Sequence, residues 1–593
     1  MIKELIYPFD PDMIMQKRKS LRRRLLEGSD DHIRKKIAIL GGYTTSDIKL
    51  IMELFLLNNG IKPEFYESEY NRFYQDAVFP NLELDEFAPD IIYICTSNHN
   101  ITAYPRMADS PEDVDRLVSD EMNRFTSVWE SLKNKYHCPV IQNNFEMPYY
   151  RLLGNMDVTD FHGRVNFLTR LNVLFSEYAS QHEGLYICDI NYISADCGLS
   201  KWSDPFYYHM YKYALCPSAI PYLAENVSNI IKSVFGKNKK GMVLDLDNTL
   251  WGGVVGDDGP EGIAIGPEVS EGQAYSEFQS YIKEHKQIGV ILNVNSKNDM
   301  ENAVAGLSHP DGVLRPDDFI AIKANWEPKD RNFREIASEL DLLPESLVFI
   351  DDNPAERHIV EQIEGVCAPD IGSIRDYIRV IDRNGFFEVT SLSEDDIKRN
   401  DMYKENYQRA KLSETFTDYN EYLLSLEMKG EIKAFAPMYI SRIAQLTNKS
   451  NQFNLTTVRY TAEQIKAAAE DTGRITLYGK LSDKFGDNGV VSVVIGRQEK
   501  NECHIELWLM SCRVLKRNME EAMLDTLVKR CQERDISKLI GYYYPTKKNG
   551  MVRDFYERMG FEKLSSDETG NTVWELDISG SYENKNKVID VEE

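Results

Sequence analysis

The 593-residue sequence contains no run of eighteen consecutive apolar residues, so no ordinary membrane-spanning helix is expected. No hydrophobic secretion segment follows Met1, and a cytoplasmic location is expected. The nine cysteines include no CxxC pair and show no regular spacing. That pattern argues against a zinc ribbon and against a disulfide framework. Positive charge is also scarce: 69 lysines and arginines face 95 aspartates and glutamates, a net charge of −26. Such a chain repels nucleic-acid phosphates, so neither nucleic acid nor a membrane is an expected partner. There is no internal repeat. The 42% of hydrophobic residues can fill several cores, and the length implies three or four domains.

The most informative stretch is Gly241-Met-Val-Leu-Asp245-Leu-Asp247-Asn-Thr249-Leu-Trp-Gly-Gly253. An apolar run stops at two aspartates spaced i, i+2, as a buried parallel strand does where it meets a ligand at its carboxyl end. One carboxylate, Asp245, is placed to attack phosphorus, and the second, Asp247, to move the proton. Gly289 to Asn298 reads as a second strand ending in Ser296-Lys297, with Ser296 a candidate to hold a phosphate oxygen. Lys329 stands before a predicted helix over 332–340 and offers a fixed cation; Lys323 is the alternative lysine. Leu347 to Ile350 reads as a third strand and ends in Asp351-Asp352. Magnesium favours oxygen ligands and would screen carboxylate from phosphate. Its expected ligands are Asp245, the Asp247 carbonyl, and Asp351 or Asp352. Thr249, Ser296, Lys297 and Lys329 are the substrate-binding candidates.

The order DxDxT, Ser, Lys, DD at strand ends resembles the haloacid dehalogenase (HAD) superfamily. Asp247-Asn-Thr-Leu-Trp-Gly-Gly, Ala324-Asn-Trp-Glu-Pro-Lys329 and Asp351-Asp-Asn-Pro-Ala-Glu-Arg357 resemble its FkbH-like branch more narrowly. That resemblance implies a magnesium-dependent enzyme acting on a phosphorylated three-carbon acyl donor, 1,3-bisphosphoglycerate. The glyceryl unit would pass to the thiol of an acyl carrier protein. FkbH-like chains often carry a cysteine just before the motif-two serine; here Asn295 stands there. Between Gly241 and Ser296 there is little room for a capping domain, which suits a bulky or protein-tethered substrate.

The expected fold class is α/β, in three domains. Residues 1–34 form a helical segment, basic through Lys17-Arg18-Lys19 and Arg22-Arg23-Arg24 before acidic Glu27, Asp30 and Asp31. Residues 35–237 alternate strand and helix, the mark of a parallel sheet, and resemble a degenerate SGNH hydrolase. Its candidates are Thr44, Thr45 and Ser46 after the first strand, with Asp204 and His209 spaced too widely for the usual pair. Asn143 and Asn144 would be oxyanion donors only in an active enzyme. The HAD core spans 238–390 and a further domain 391–578, leaving 579–593 as an acidic tail expected to be disordered.

The further domain reads as strands at 474–479, 489–496 and 504–510, a helix over 518–534, a strand at 539–543 and a helix over 549–558. That order, with Phe555-Tyr-Glu-Arg-Met-Gly-Phe561, resembles the GNAT acyltransferases. The resemblance implies a turn that cradles the pyrophosphate of coenzyme A, but Lys516 and Asn518 replace the expected glycines. Lys516, Arg517 and Arg513 are instead candidates to bind a phosphate or phosphopantetheine arm by charge. Cys512, beside Arg513, is the candidate thiol for a protein-bound thioester, and Tyr556 a candidate general acid. The polar tract Asn448-Lys-Ser-Asn451-Gln-Phe-Asn454-Leu-Thr-Thr457 again resembles FkbH-like chains and names no ligand. Two other readings fit the same residues: acyl transfer to an amino sugar in surface-polysaccharide assembly, or a scaffold with a silent HAD core.

Overall fold

In the computed structural model, residues 1–29, 31–450 and 452–592 are described. Asp30 of the acidic run and Asn451 of the polar tract lie outside the described residues. The chain divides into two compact units, Met1–Lys237 and Asn238–Glu593.

The first unit is built on a parallel sheet in the order β2-β1-β3-β4-β5. Its strands are β1 (Ile33–Gly41), β2 (Ile61–Glu67), β3 (Ile91–Cys95), β4 (Val140–Asn143) and β5 (Leu185–Cys188). Strands β3 and β4 are buried throughout, as parallel strands covered on both faces must be. Helices Ser46–Asn58 and Ile220–Val234 bury Leu54, Phe55, Val227 and Ile231 on one face. Helices Pro111–Tyr136 and Arg164–Gln181 bury Phe125, Trp129, Phe167 and Phe175 on the other. The basic helix Pro11–Leu26 starts at Asp10, whose carboxylate accepts from the Asp12 and Met13 amides. It buries Ile14, Leu21 and Leu25, while Arg22 and Arg24 pair with Glu53 and Glu4 at the surface.

The second unit begins with a four-stranded parallel sheet, β6 (Gly241–Leu244), β7 (Ile291–Ser296), β8 (Ala321–Ala324) and β9 (Leu347–Ile350), ordered β8-β7-β6-β9. The connection from β6 to β7 holds a four-residue turn of helix, Val255–Asp258, and the helix Ser270–His285. No capping domain is inserted there. Helix Arg399–Ser413 then leads to a mostly antiparallel sheet. Its strands are β10 (Met428–Lys433), β11 (Phe453–Asn454), β12 (Arg474–Asp483), β13 (Gly486–Glu499), β14 (Glu502–Met510), β15 (Lys538–Tyr543), β16 (Glu562–Ser566), β17 (Thr572–Asp577) and β18 (Ile589–Glu592). The order is β16-β17-β15-β14-β13-β12-β10-β18, with β11 off this path on β14. Only the β14–β15 and β10–β18 pairs are parallel. Helix Met519–Gln532 covers one face, and helices Ile440–Lys449 and Ala462–Glu470 the other.

Two expectations change. The acidic tail is ordered at its end, because β18 pairs with β10 from Met428↔Ile589 onward and Ile589 is buried. Backbone pairing to an open sheet edge outweighs the polar composition. The helix expected over 549–558 is broken into Gly550–Val552 and Phe555–Arg558. Asn549 spends its side chain on neighbouring backbone groups, and Gly550 is a poor helix former. No helix among the described residues is long and apolar enough to cross a membrane.

Candidate active site

Parallel strands β6, β7 and β9 end side by side, so their carboxyl-terminal residues converge. Carboxylate oxygens of Asp245, Asp351 and Asp352 all lie within 4.8 Å of one another. The Lys329 ammonium is 3.0 Å from Asp245 and donates to Asp351 at 2.6 Å. Burial alone would lower the Lys329 pKa, but these two carboxylates outweigh it and hold it above the usual value. Burial, then the Asp245 charge, pushes Asp351 up to about 6. The same two causes raise Asp352. Asp245 Oδ1 is buried and accepts no hydrogen bond. Three carboxylates therefore face one ammonium.

These residues fit a divalent cation. A hard oxygen set, an excess of negative charge and an orphaned buried oxygen are what magnesium requires. Arg357 fixes the acidic loop from beneath, donating to the carbonyls of Asp351 at 2.9 Å and Asp352 at 2.7 Å. Its other nitrogen donates to Asp370. Thr249 is fully buried and bonds to Asp352, accepting from its amide at 3.3 Å. It braces the acidic loop rather than facing a substrate.

Asp247 lies beyond the end of β6, and the chain turns at the next residue, Asn248, whose left-handed conformation (φ 55°) asparagine tolerates. One Asp247 oxygen accepts from the Trp251 indole at 2.9 Å and the Val255 amide at 3.0 Å. The other accepts from Asn298 at 3.0 Å. Burial raises its pKa despite these bonds, as suits a group that must carry a proton. Trp251, Asn298 and Arg357 were not singled out from the sequence. Asn298 follows Ser296-Lys297 directly, the one signal that could have found it.

Ser296 ends β7 and is buried beside this cluster's strand ends. Lys297 turns away and pairs with Glu356 at 2.7 Å, so its charge is already used. Lys323 pairs with Glu339 and Glu335. Lys329, not Lys323, is therefore the lysine among the carboxylates. Asn295 donates to the Lys329 carbonyl at 2.8 Å and accepts from Asn332, so it holds the start of the helix Lys329–Glu339.

The remaining candidates are not brought to this site. The Cys512 sulfur is 3.9 Å from the Tyr403 hydroxyl and packs against the core beneath β6–β9. Arg513 is buried, with its guanidinium against the Met402 sulfur. Arg517 is buried on Asp483, and burial pushes it down to about 10. Lys516 is exposed at the turn after β14. Tyr556 is fully buried against Gly541, and burial raises its pKa steeply, so it is a packing residue. In the first unit, Thr44 and Thr45 bond to Tyr211 and Glu67, and Ser46 opens a helix. Asp204 caps the helix Pro205–Tyr211, while His209 is exposed. Asn143 is tied to Tyr93 and Thr96, and Asn144 to Asp189. Thr44, Thr45, Asn143, Asn144 and Asp204 are thus committed to structure.

Strand order and convergent carboxylates define a HAD-type, phosphatase-like site. Comparison with known proteins gives two kinds of likeness. Residues 36–232 match the FkbH N-terminal domain, so that this part of the chain is FkbH-like. It is similar to the N-terminal part of the protein BF1531 from Bacteroides fragilis, which contains a phosphatase domain complexed with Mg. Identity is 29%, over 63% of this chain and 99% of that chain, with a TM-score of 0.58. The Escherichia coli ribosomal-protein-S18-alanine N-acetyltransferase aligns over 27% of this chain and 99% of its own, at 12% identity and TM-score 0.21. The PaiA N-acetyltransferase from Thermoplasma acidophilum, in complex with coenzyme A, aligns over 25% and 99%, at 14% identity and TM-score 0.20. No curated protein matches the chain.

Proposed function

We propose that the chain is a magnesium-dependent phosphohydrolase or phosphotransferase that also loads an acyl group onto the thiol of an acyl carrier protein. The Asp245–Lys329–Asp351 contact carries the phosphoryl part. A cation held by Asp245, Asp351 and Asp352 would neutralise phosphate charge as the nucleophile approaches. The Asp245 carboxylate attacks phosphorus, the bond from phosphorus to the leaving oxygen breaks, and an aspartyl-phosphate forms. Asp247 gives its proton to that leaving oxygen and then takes one from the water that releases phosphate. Lys329 holds Asp245 in place and opposes the negative charge of the transferred group.

The acyl part follows from electron bookkeeping. If Asp245 removes phosphate from an acyl phosphate, the acyl group leaves as a carboxylate and no longer makes a thioester. A bisphosphorylated donor such as 1,3-bisphosphoglycerate resolves this. The carrier thiol attacks the acyl carbon and expels the C1 phosphate, while Asp245 hydrolyses the C3 ester. The absence of a cysteine at Asn295 favours a thiol supplied by the partner. The amino-sugar acceptor and the silent scaffold remain outcomes of the test.

The test is incubation with magnesium, 1,3-bisphosphoglycerate and phosphopantetheinylated carrier protein, followed by intact mass measurement. A glyceryl adduct on the carrier, lost in Asp245→Asn as its phosphorylated form accumulates or loading stops, supports the proposal. Phosphate release without any adduct removes the carrier from it. No magnesium-dependent release would leave a scaffold.

A further inference from the structure

We infer that the GNAT-like sheet takes no coenzyme A or pantetheine thioester, because, of the two places where one would lie, the chain fills the first and sets carboxylates at the second. The first place is the wedge between β14 and β15. These parallel strands pair only at Glu502↔Lys538, Cys503↔Leu539 and His504↔Ile540, then separate. Parting strands leave backbone donors and acceptors unpaired, and these need partners. A pantetheine arm has two amides and could supply them.

Here the polar tract supplies them instead. Strand β11 pairs antiparallel with the end of β14, Phe453 opposite Met510 and Asn454 opposite Leu509. The Leu455 amide donates to the Trp508 carbonyl at 3.0 Å, and the Tyr544 amide donates to the Leu455 carbonyl at 2.9 Å. One residue thus bridges both walls of the wedge. The Thr456 hydroxyl donates to the Glu506 carbonyl at 2.8 Å. Asn549, fully buried, donates to the Asn454 carbonyl at 3.0 Å and the Tyr544 carbonyl at 2.9 Å. Phe453 stacks edge-on to Phe555, and Leu455 is completely buried. The wedge is full.

The second place is the turn after β14. Lys516 (φ 65°) and Asn518 (φ 59°) keep the left-handed backbone that glycines would adopt, so the turn retains its shape. Two of its carbonyls are taken. Asn406 of the helix Arg399–Ser413 donates to the Arg513 carbonyl at 3.2 Å, and the Tyr419 hydroxyl donates to the Lys516 carbonyl at 2.7 Å. Tyr403 of that helix reaches into the core beneath β6–β9. Glu520 and Glu521 occupy the first turn of the helix Met519–Gln532, where a pyrophosphate would need the positive end of the dipole. The turn serves as the joint between the phosphatase core and the C-terminal sheet. Acyl chemistry is thereby left to the Asp245 site, although this inference stands without that reading.

The test uses the full chain. Titration calorimetry with coenzyme A and acetyl-coenzyme A, up to about 1 mM, should show no saturable heat. Hydrogen exchange should find the Leu455 and Tyr544 amides as protected as those of β13. In Asn549→Ala both amides should exchange faster while β13 is unchanged. Saturable binding of either compound overturns the inference. So does exchange at Leu455 or Tyr544 as fast as in exposed loops.

Discussion

Lys329 donates to Asp351 at 2.6 Å in a site where neither side chain is open to water. The pair sets the charge balance of the whole cluster. Replacing Lys329 by Met leaves three crowded carboxylates without their cation. Removing one partner of a buried pair costs roughly 3–5 kcal/mol. Lys329→Met should therefore lose turnover and melt earlier, and added magnesium should raise its melting temperature more than that of the wild type. Calorimetric melts with and without magnesium check this; equal magnesium shifts would sink it.

Asn298 donates to one Asp247 oxygen at 3.0 Å, while Trp251 and the Val255 amide hold the other. Asn298→Ala should lower kcat roughly tenfold to a hundredfold on a small phosphate ester, with KM little changed. The alkaline limb of the pH–rate profile should shift, because Asn298 stabilises the charged carboxylate. Steady-state kinetics across pH decides it. A variant with wild-type kcat would show that Asp247 needs no such positioning.

The first unit carries its own pH dependence. Burial pushes the Glu146 carboxyl up to about 7, against the backbone hydrogen bond from Asn98. The folded pKa is raised, so the stabilisation is complete below the unfolded value near 4.5 and is lost as pH rises through about 7. The shift corresponds to a few kcal/mol at most, about 1.4 per pH unit. Glu146→Gln should flatten the pH dependence of this unit's melting between pH 5 and about 8 and be the more stable protein at the alkaline end. Identical profiles for the two proteins would exclude Glu146 as the source.

The Asp483 side chain is wholly buried and is held by Arg409 through two contacts of 2.7 Å, with Arg517 at 3.3 Å. Arg409 lies on the linking helix and Asp483 at the end of β12, so this pair ties the joint to the sheet. Arg409→Met should cost about 3 kcal/mol, the lower end for a broken buried pair because Arg517 remains. Urea unfolding should show a lower midpoint with an unchanged slope. A loss under about 1 kcal/mol would mean that the joint does not depend on this pair.

Much of the phosphatase-like core was legible because its strands are buried on both faces. Such strands read as short, largely apolar runs, and these lead to a polar residue, Asp245, Ser296 or Asp351, although β7 also buries Asn293 and Asn295. Their order along the chain, with the residues around them, also carried the FkbH-like resemblance. The order of strands in the C-terminal sheet was readable for the same reason, from the apolar stretches of β13, β14 and β15. Local chemistry sufficed for these.

Other features depend on residues far apart in sequence, and only the tertiary structure decided them. On paper Lys329 stands first and Lys323 is the alternative; the direction of the helix Lys329–Glu339 brings Lys329 to the carboxylates and leaves Lys323 among glutamates. Cys512, Arg513 and Arg517 look like a charged ligand turn, but the helix Arg399–Ser413 packs over it. The tract around Asn454 is only a polar stretch that names no ligand until Trp508 and Tyr544 are seen to take its backbone bonds. The tail looks unfolded until β10 offers it an edge. Apolar periodicity is written locally, whereas the partner of a polar group is chosen by whatever the fold brings beside it.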